Sequence, residues 1–209
     1  MSARRKAARV SPAVGGRPRS SKADEAIIRE TLKLLEREGY LGVSIEQVAL
    51  AAGVAKATIY RRYRDKAELV AQAVASRAGF LDVPDTGDTY KDLFELMRQG
   101  RTKLESAAGF ALAGVLLIEE SRRPEVAATF RRYIILPRRE RYAAILRRGV
   151  ARAELRPDFA PDVVVDALVG ALYARHLAGE RITDAWIEAV LKTTWRAVAR
   201  QPKKAAKQP

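Results

Sequence analysis

Cysteine is absent from the 209-residue chain, and histidine occurs once, as His176. The first absence excludes disulfides, thiolate zinc sites and thiol nucleophiles. It fits a reducing cytoplasm, the expected location. With a single histidine as well, the sequence argues against a structural zinc site and leaves few ways to build a histidine-based catalytic site. No P-loop pattern or metal-ligand cluster compensates, so the sequence points away from an enzyme and calls for no cofactor and no metal. Long apolar runs are missing too. The longest uncharged run, Ser106–Ile118, spans 13 residues, whereas a membrane span needs about 20. It reads as a buried helix, and no apolar segment follows the basic N-terminus as a signal peptide would require. No membrane partner is expected. Strand-like alternation and internal repeats are also lacking.

What the chain has in excess is positive charge, +14 overall. That balance points to a polyanionic partner such as nucleic acid. The charge is concentrated at the ends: residues 1–22 carry +7 and no acid, residues 200–209 carry +4, and the body between them is nearly balanced. The hydrophobic share, 48%, is enough for a core. Pro12, Gly15, Gly16 and Pro18 discourage regular structure in the N-terminal arm.

Helical periodicity dominates the rest. A first helix is expected over 24–38, with Ile28, Leu32 and Leu35 at helical spacing, Ile27, Thr31 and Leu34 beside them, and Gly39 as its stop. Ser44 and Gln47 have capping-box spacing for a second helix over 45–52. A third follows over about 56–63, and a fourth, capped by Asp65, over 66–77. Residues 79–88 read as a loop. Further helices are expected over 89–104, 107–121, 124–153, 161–177 and 183–199. Pro124 suits a first turn, and Pro137 should kink or break its helix. The predicted class is all-α. The expected organisation is a basic disordered arm (1–22), a three-helix helix-turn-helix domain (23–78), a larger helical domain (79–200) and a basic tail (201–209).

The segment Ser44–Tyr63 carries the chemistry. Ile45, Val48 and Ala49 give its first helix an inward face, Gly53 permits a left-handed turn, and Val54 and Ile59 pin the next helix. Lys56, Thr58, Tyr60, Arg61 and Arg62 are then left outward, a donor-rich helix of a size that fits the major groove. Read alone, the segment is equally a helical hairpin with a basic surface. Its neighbours add specificity. Glu38-Gly39-Tyr40, Val43–Ala49, Ala52–Tyr63 and Asp65–Leu69 together resemble the N-terminal domain of the TetR family of bacterial transcriptional regulators. Arg122–Glu125 and Glu154–Asp158 resemble one C-terminal type of that family.

The resemblance implies duplex DNA as partner, a homodimer and a small-molecule effector. It places Ser44 at a cap that touches phosphate, and Lys56, Ala57 and Thr58 at base edges. Tyr60 and Lys66 would hold phosphate, and Arg61 and Arg62 would reach bases or backbone. Tyr63, where the family usually has Phe, is read as packing. Many family members carry an aromatic or His where Arg61 and Arg62 stand, which suggests a more electrostatic interface here. Gly16-Arg17-Pro18-Arg19 resembles an AT-hook core, so Arg17 and Arg19 are candidates for the minor groove. By the same resemblance the last two helices dimerise, with Gly170 and Ala174 allowing close approach and Val164, Leu168, Ala171 and Leu172 beside them. An effector pocket is implied among the helices over 89–153. Met97, Phe110, Tyr133, Tyr142 and Tyr173 are its candidate lining residues, although for each taken alone filling the core is the commoner role. The uncharged run favours an apolar effector. Repression with ligand-induced release is the family default. A non-specific nucleoid-associated protein on the same fold is the alternative.

Overall fold

In the computed structural model, residues 21–77 and 83–200 are described, apart from the side chains of Ser21, Arg77 and 107–112. The helices are α1 Ser21–Gly42, α2 Ile45–Ala52, α3 Lys56–Tyr60, α4 Lys66–Arg77, α5 Thr89–Leu104, α6 Ala107–Arg122, α7 Pro124–Phe130, α8 Leu136–Ala151, α9 Pro161–Leu177 and α10 Asp184–Val198. Arg17, Arg19, the loop tip and the C-terminal tail lie outside the described residues. Among those described, the only extended pairing is one isolated bridge, Leu155 with Ala199. The chain is all-α, a small N-terminal helix-turn-helix unit joined to a larger helical one.

Local chemistry sets the helix ends. Ser44 Oγ accepts from Gln47 N at 3.2 Å while Gln47 Oε1 accepts from Ser44 N at 3.0 Å, so two orphan donors of α2 are satisfied reciprocally. Asp65 Oδ1 accepts from Glu68 N at 2.8 Å at the start of α4, and Asp88 Oδ1 from Lys91 N at 3.0 Å at the start of α5. The first helix runs past its expected stop, but the break stands where it was read: Gly39 has φ 67° and ψ 177° inside α1. The buried face of α1 is turned from the expected stripe. Ile27, Thr31, Leu34 and Leu35 are buried, whereas Ile28 and Leu32 are only half so.

Pro137 does not break its helix. A π-helical turn, Arg131–Ile135, precedes α8, and Leu136 N bonds Arg131 O five residues back. A proline ring clashes with the carbonyl four residues earlier, here that of Tyr133. The wider turn absorbs the conflict, and the helix continues from Pro124 to Ala151.

Two cores form. One gathers α1, α2, α3 and α4 around Ile27, Val48, Ile59, Leu69 and Val70, and it extends to Val126 and Phe130 of α7. Tyr40, just past the Gly39 break, meets Phe130 edge-on at 5.4 Å. The other joins α5, α8, α9 and α10 around Leu93, Met97, Tyr142, Leu168 and Ile187. The apolar stripe expected on the last helix is the one that packs, with Ile187, Leu191 and Val198 buried. On α9, however, Val164, Leu168 and Leu172 face this internal core. The outward face instead carries Val163, Ala167, Gly170, Ala174 and Leu177, all exposed.

Candidate nucleic-acid interface and internal cavity

The turn between α2 and α3 is made by Gly53 at φ 65°, ψ 35°. A side chain at that φ is strained, so glycine is favoured there. Ile59 is fully buried and Val54 packs half-buried against the same core. These anchors fix which face of α3 looks outward. Lys56, Ala57, Tyr60 and Arg61 are exposed, and Thr58 is half-buried. Tyr60 keeps 53% of its surface accessible, much for an aromatic residue. Lys56 Nζ donates to Glu46 Oε1 at 2.8 Å, and Arg61 Nη2 to Thr58 Oγ1 at 3.4 Å. Both are exposed polar contacts, of the kind that contributes little and exchanges readily.

Two sequence-predicted contacts are placed differently from this row. α3 ends at Tyr60, so Arg61 and Arg62 sit in the turn that follows. Arg62 is turned inward, its side chain only 17% exposed and paired with Asp24 of α1. Its Nη1 also donates to Thr58 O at 2.9 Å. It straps the end of α3 to α1. No local spacing announces a pair 38 residues apart. Lys66 is likewise committed. Its Nζ donates to Tyr40 O at 3.0 Å and Leu41 O at 3.4 Å, and it lies 4.6 Å from the centre of the Tyr40 ring. Burial holds its pKa below the usual lysine value, with Arg123 adding and Glu119 opposing. Tyr63 is buried at the core edge, as its packing role requires.

Between α4, α5, the π turn and α8 lies a half-open cavity of about 50 Å³. Ala75 of α4 forms part of its wall. α5 contributes Leu96, Gln99, Gly100 and Lys103. The π turn and α8 contribute Tyr133, Ile134, Pro137, Arg138, Arg141 and Tyr142. Of the residues read from sequence as pocket lining, Tyr133 and Tyr142 meet here. Met97 is fully buried in the second core and is not part of the wall. Tyr173 is joined indirectly, its hydroxyl accepting from Arg138 Nη1 at 3.0 Å. The Phe110 side chain lies outside those described. The polar members Gln99, Lys103, Arg138 and Arg141 were missed. Among helical positions they look like ordinary solvated charges, and only the packing of α5 against α8 turns them toward one space.

Burial pushes the Tyr142 hydroxyl well above its ordinary pKa. Burial lowers the Lys103 amine to about 8, with Arg141 and Arg138 pushing the same way. The Tyr133 hydroxyl donates to Glu68 Oε1 of α4 at 2.6 Å, and Glu68 Oε2 accepts from Arg64 N at 2.8 Å. The cavity wall is thus tied directly to the helix that follows the α2–α3 pair.

Sequence comparison agrees with this geometry. Residues 27–73 match the family described as bacterial regulatory proteins, tetR family, and residues 83–194 match the tetracyclin repressor-like C-terminal domain. The chain is 31% identical over 164 residues to the DNA-binding transcriptional repressor TetR of Mycobacteroides abscessus, covering 78% of this chain and 86% of that protein. It is 28% identical over 188 residues to the uncharacterized HTH-type transcriptional regulator YdeS of Bacillus subtilis, covering 88% and 93% respectively. Among solved structures, the TetR family transcription regulator SCO0332 superposes with a TM-score of 0.69 at 28% identity, over 85% of this chain and 99% of that one.

Proposed function

Because the chain belongs to the TetR family of bacterial regulatory proteins, and is a DNA-binding transcriptional regulator, we propose that it represses by binding a near-palindromic operator as a homodimer and is released by a small effector. The carrying observation is α3: its inner residue Ile59 is locked in the core, while Lys56, Ala57, Tyr60 and Arg61 stand exposed after a glycine turn. Such a helix enters the major groove with its first residues at base edges.

In this reading Lys56, Ala57 and Thr58 face bases, and the Tyr60 hydroxyl and Ser44 meet phosphate. Arg61 reaches bases or backbone. Arg62 and Lys66 set the angle of α3 and α4 rather than touching DNA first. Arg17 and Arg19 lie in the arm that precedes α1, and their proposed place is the adjacent minor groove. The exposed face of α9, from Val163 to Leu177, is the dimerisation surface, which puts two copies of α3 about 34–36 Å apart, one turn of DNA. Effector binding acts by population shift. The cavity, at about 50 Å³, is smaller than the roughly 300 Å³ and upward typical of ligand sites, so a ligand must open it. The Tyr133–Glu68 bond carries that opening to α4. The protein binds without turnover, in the cytoplasm where its DNA is.

The test is fluorescence anisotropy of the full chain on the DNA upstream of its own gene, at fixed salt with random duplex as competitor. Binding that resists competitor, and that Tyr60→Phe or Lys56→Ala weakens by roughly tenfold, supports the reading. Equal competition by random duplex there and on genome-selected fragments refutes operator recognition and favours a non-specific DNA coat.

A further inference from the structure

Glu46 stands in the first turn of α2, and Lys56 opens α3. Ten residues separate them along the chain, and the Gly53 turn brings their heads together, Lys56 Nζ donating to Glu46 Oε1 at 2.8 Å. More than half of each side chain stays exposed, so the pair contributes little to stability. It does fix a pattern on the surface: a donor and an acceptor stand side by side at the end of α3 whose residues meet base edges. The hydrogen bond from Lys56 holds the Glu46 carboxyl below its usual pKa. At neutral pH it is therefore ionised and only accepts, while the ammonium only donates. A carboxylate is a poor neighbour for phosphate, which it repels, and it offsets the charge of the lysine beside it. It favours binding only where a base edge offers it a donor. In the major groove guanine N7 and O6 accept and cytosine N4 donates. O6 and N4 share a Watson–Crick hydrogen bond, so they lie about 3 Å apart, which matches the spacing of the two side-chain heads. Adenine N6 and thymine O4 also form a donor–acceptor pair, but the thymine methyl crowds O4. Only guanine gives the ammonium two adjacent acceptors.

We propose that Glu46 and Lys56 act as a couple that reads one G·C base pair in each half-site, Lys56 donating to guanine O6 and N7 and Glu46 accepting from cytosine N4. This rests on the reading of α3 as the major-groove helix and adds a base contact from α2. Glu46 also sets what is refused. Over an edge that places an acceptor beneath the carboxylate, lone pairs meet lone pairs and binding is opposed. An exposed ion pair exchanges its partners readily, so the two heads can turn from each other to the base pair without disturbing the Ile59 anchor of α3.

The experiment selects duplexes from a random-sequence DNA pool with the full chain. Anisotropy at fixed salt then compares the selected duplex with versions in which each base pair is replaced in turn. The wild-type selection should hold a G·C pair at one fixed place in each half-site, and replacing it in one half-site should weaken binding roughly fivefold to 100-fold. Glu46→Ala and Lys56→Ala should each remove most of that discrimination at this pair and leave it intact at the others. The double variant should lose little more than either alone, because the two side chains share one base pair. Both positions are exposed, and circular dichroism checks that the helices remain. Loss at different base pairs in the two variants, or a wild-type consensus without such a G·C pair, overturns the couple. A Glu46→Ala protein that gains affinity for selected and random duplex by the same factor, its base preferences intact, also overturns it, because Glu46 then only masks the charge of Lys56. A consensus whose binding Tyr60→Phe weakens but whose base preferences Glu46→Ala leaves unchanged refutes the couple and retains the operator reading. If the wild-type protein selects no consensus, operator recognition itself fails and the couple falls with it.

Discussion

Gly170 lies on the outward face of α9, where an added Cβ meets nothing within 4 Å. The isolated protomer therefore has room for any side chain there. Leucine is a better helix former than glycine by roughly 0.5–1 kcal/mol, so Gly170→Leu should stabilise a protomer considered alone. If this face packs on its copy, the outcome reverses. A two-fold interface repeats each substitution. Overpacking costs about 1–3 kcal/mol per site, so the dimer loses roughly 2–6 kcal/mol, a weakening of about 30-fold to 10⁴-fold at 1.4 kcal/mol per decade. Sedimentation velocity across a concentration series reads the dimer constant directly, and circular dichroism shows that the helices remain. Operator affinity should fall with dimerisation, because one protomer offers only one α3. A Gly170→Leu protein that stays dimeric and binds the operator as before would refute the assignment of this face.

Removing the Ser44 hydroxyl, Ser44→Ala, breaks one half of the reciprocal cap on α2 and should cost about 1 kcal/mol, read as a lower denaturant midpoint with an unchanged slope. At Gly149 an added Cβ would meet Thr89 Cγ2 at 2.7 Å and Leu155 Cδ1 at 2.8 Å. Gly149→Ala should therefore lose about 1–3 kcal/mol of stability without altering DNA affinity per folded molecule.

Much of the DNA-binding half was legible because its signals are local. The Ser44–Gln47 spacing, Gly53, and the inward Ile45, Val48, Ala49 and Ile59 each act within a few residues. The structure places them as the pattern required. Local spacing did not set the rotation of α1, because apolar and small polar residues crowd both sides of its stripe. The partner of α1 decided in favour of Ile27 and Thr31. Pro137 was read correctly as a conflict, but the relief chosen was a π turn rather than a break.

The charges divide along the same line. Residue type and order determined the helical class, the glycine turn and a basic chain suited to a polyanion. Which charges face outward was settled by contacts between distant segments. Asp24 draws Arg62 inward, the carbonyls at the end of α1 hold Lys66, and α5 laid against α8 turns Lys103, Arg138 and Arg141 into one cavity. Periodicity reports how residues repeat along one helix. A partner dozens of residues away decides whether the same arginine reaches solvent or a strap, because ion pairing and desolvation depend on distances in space.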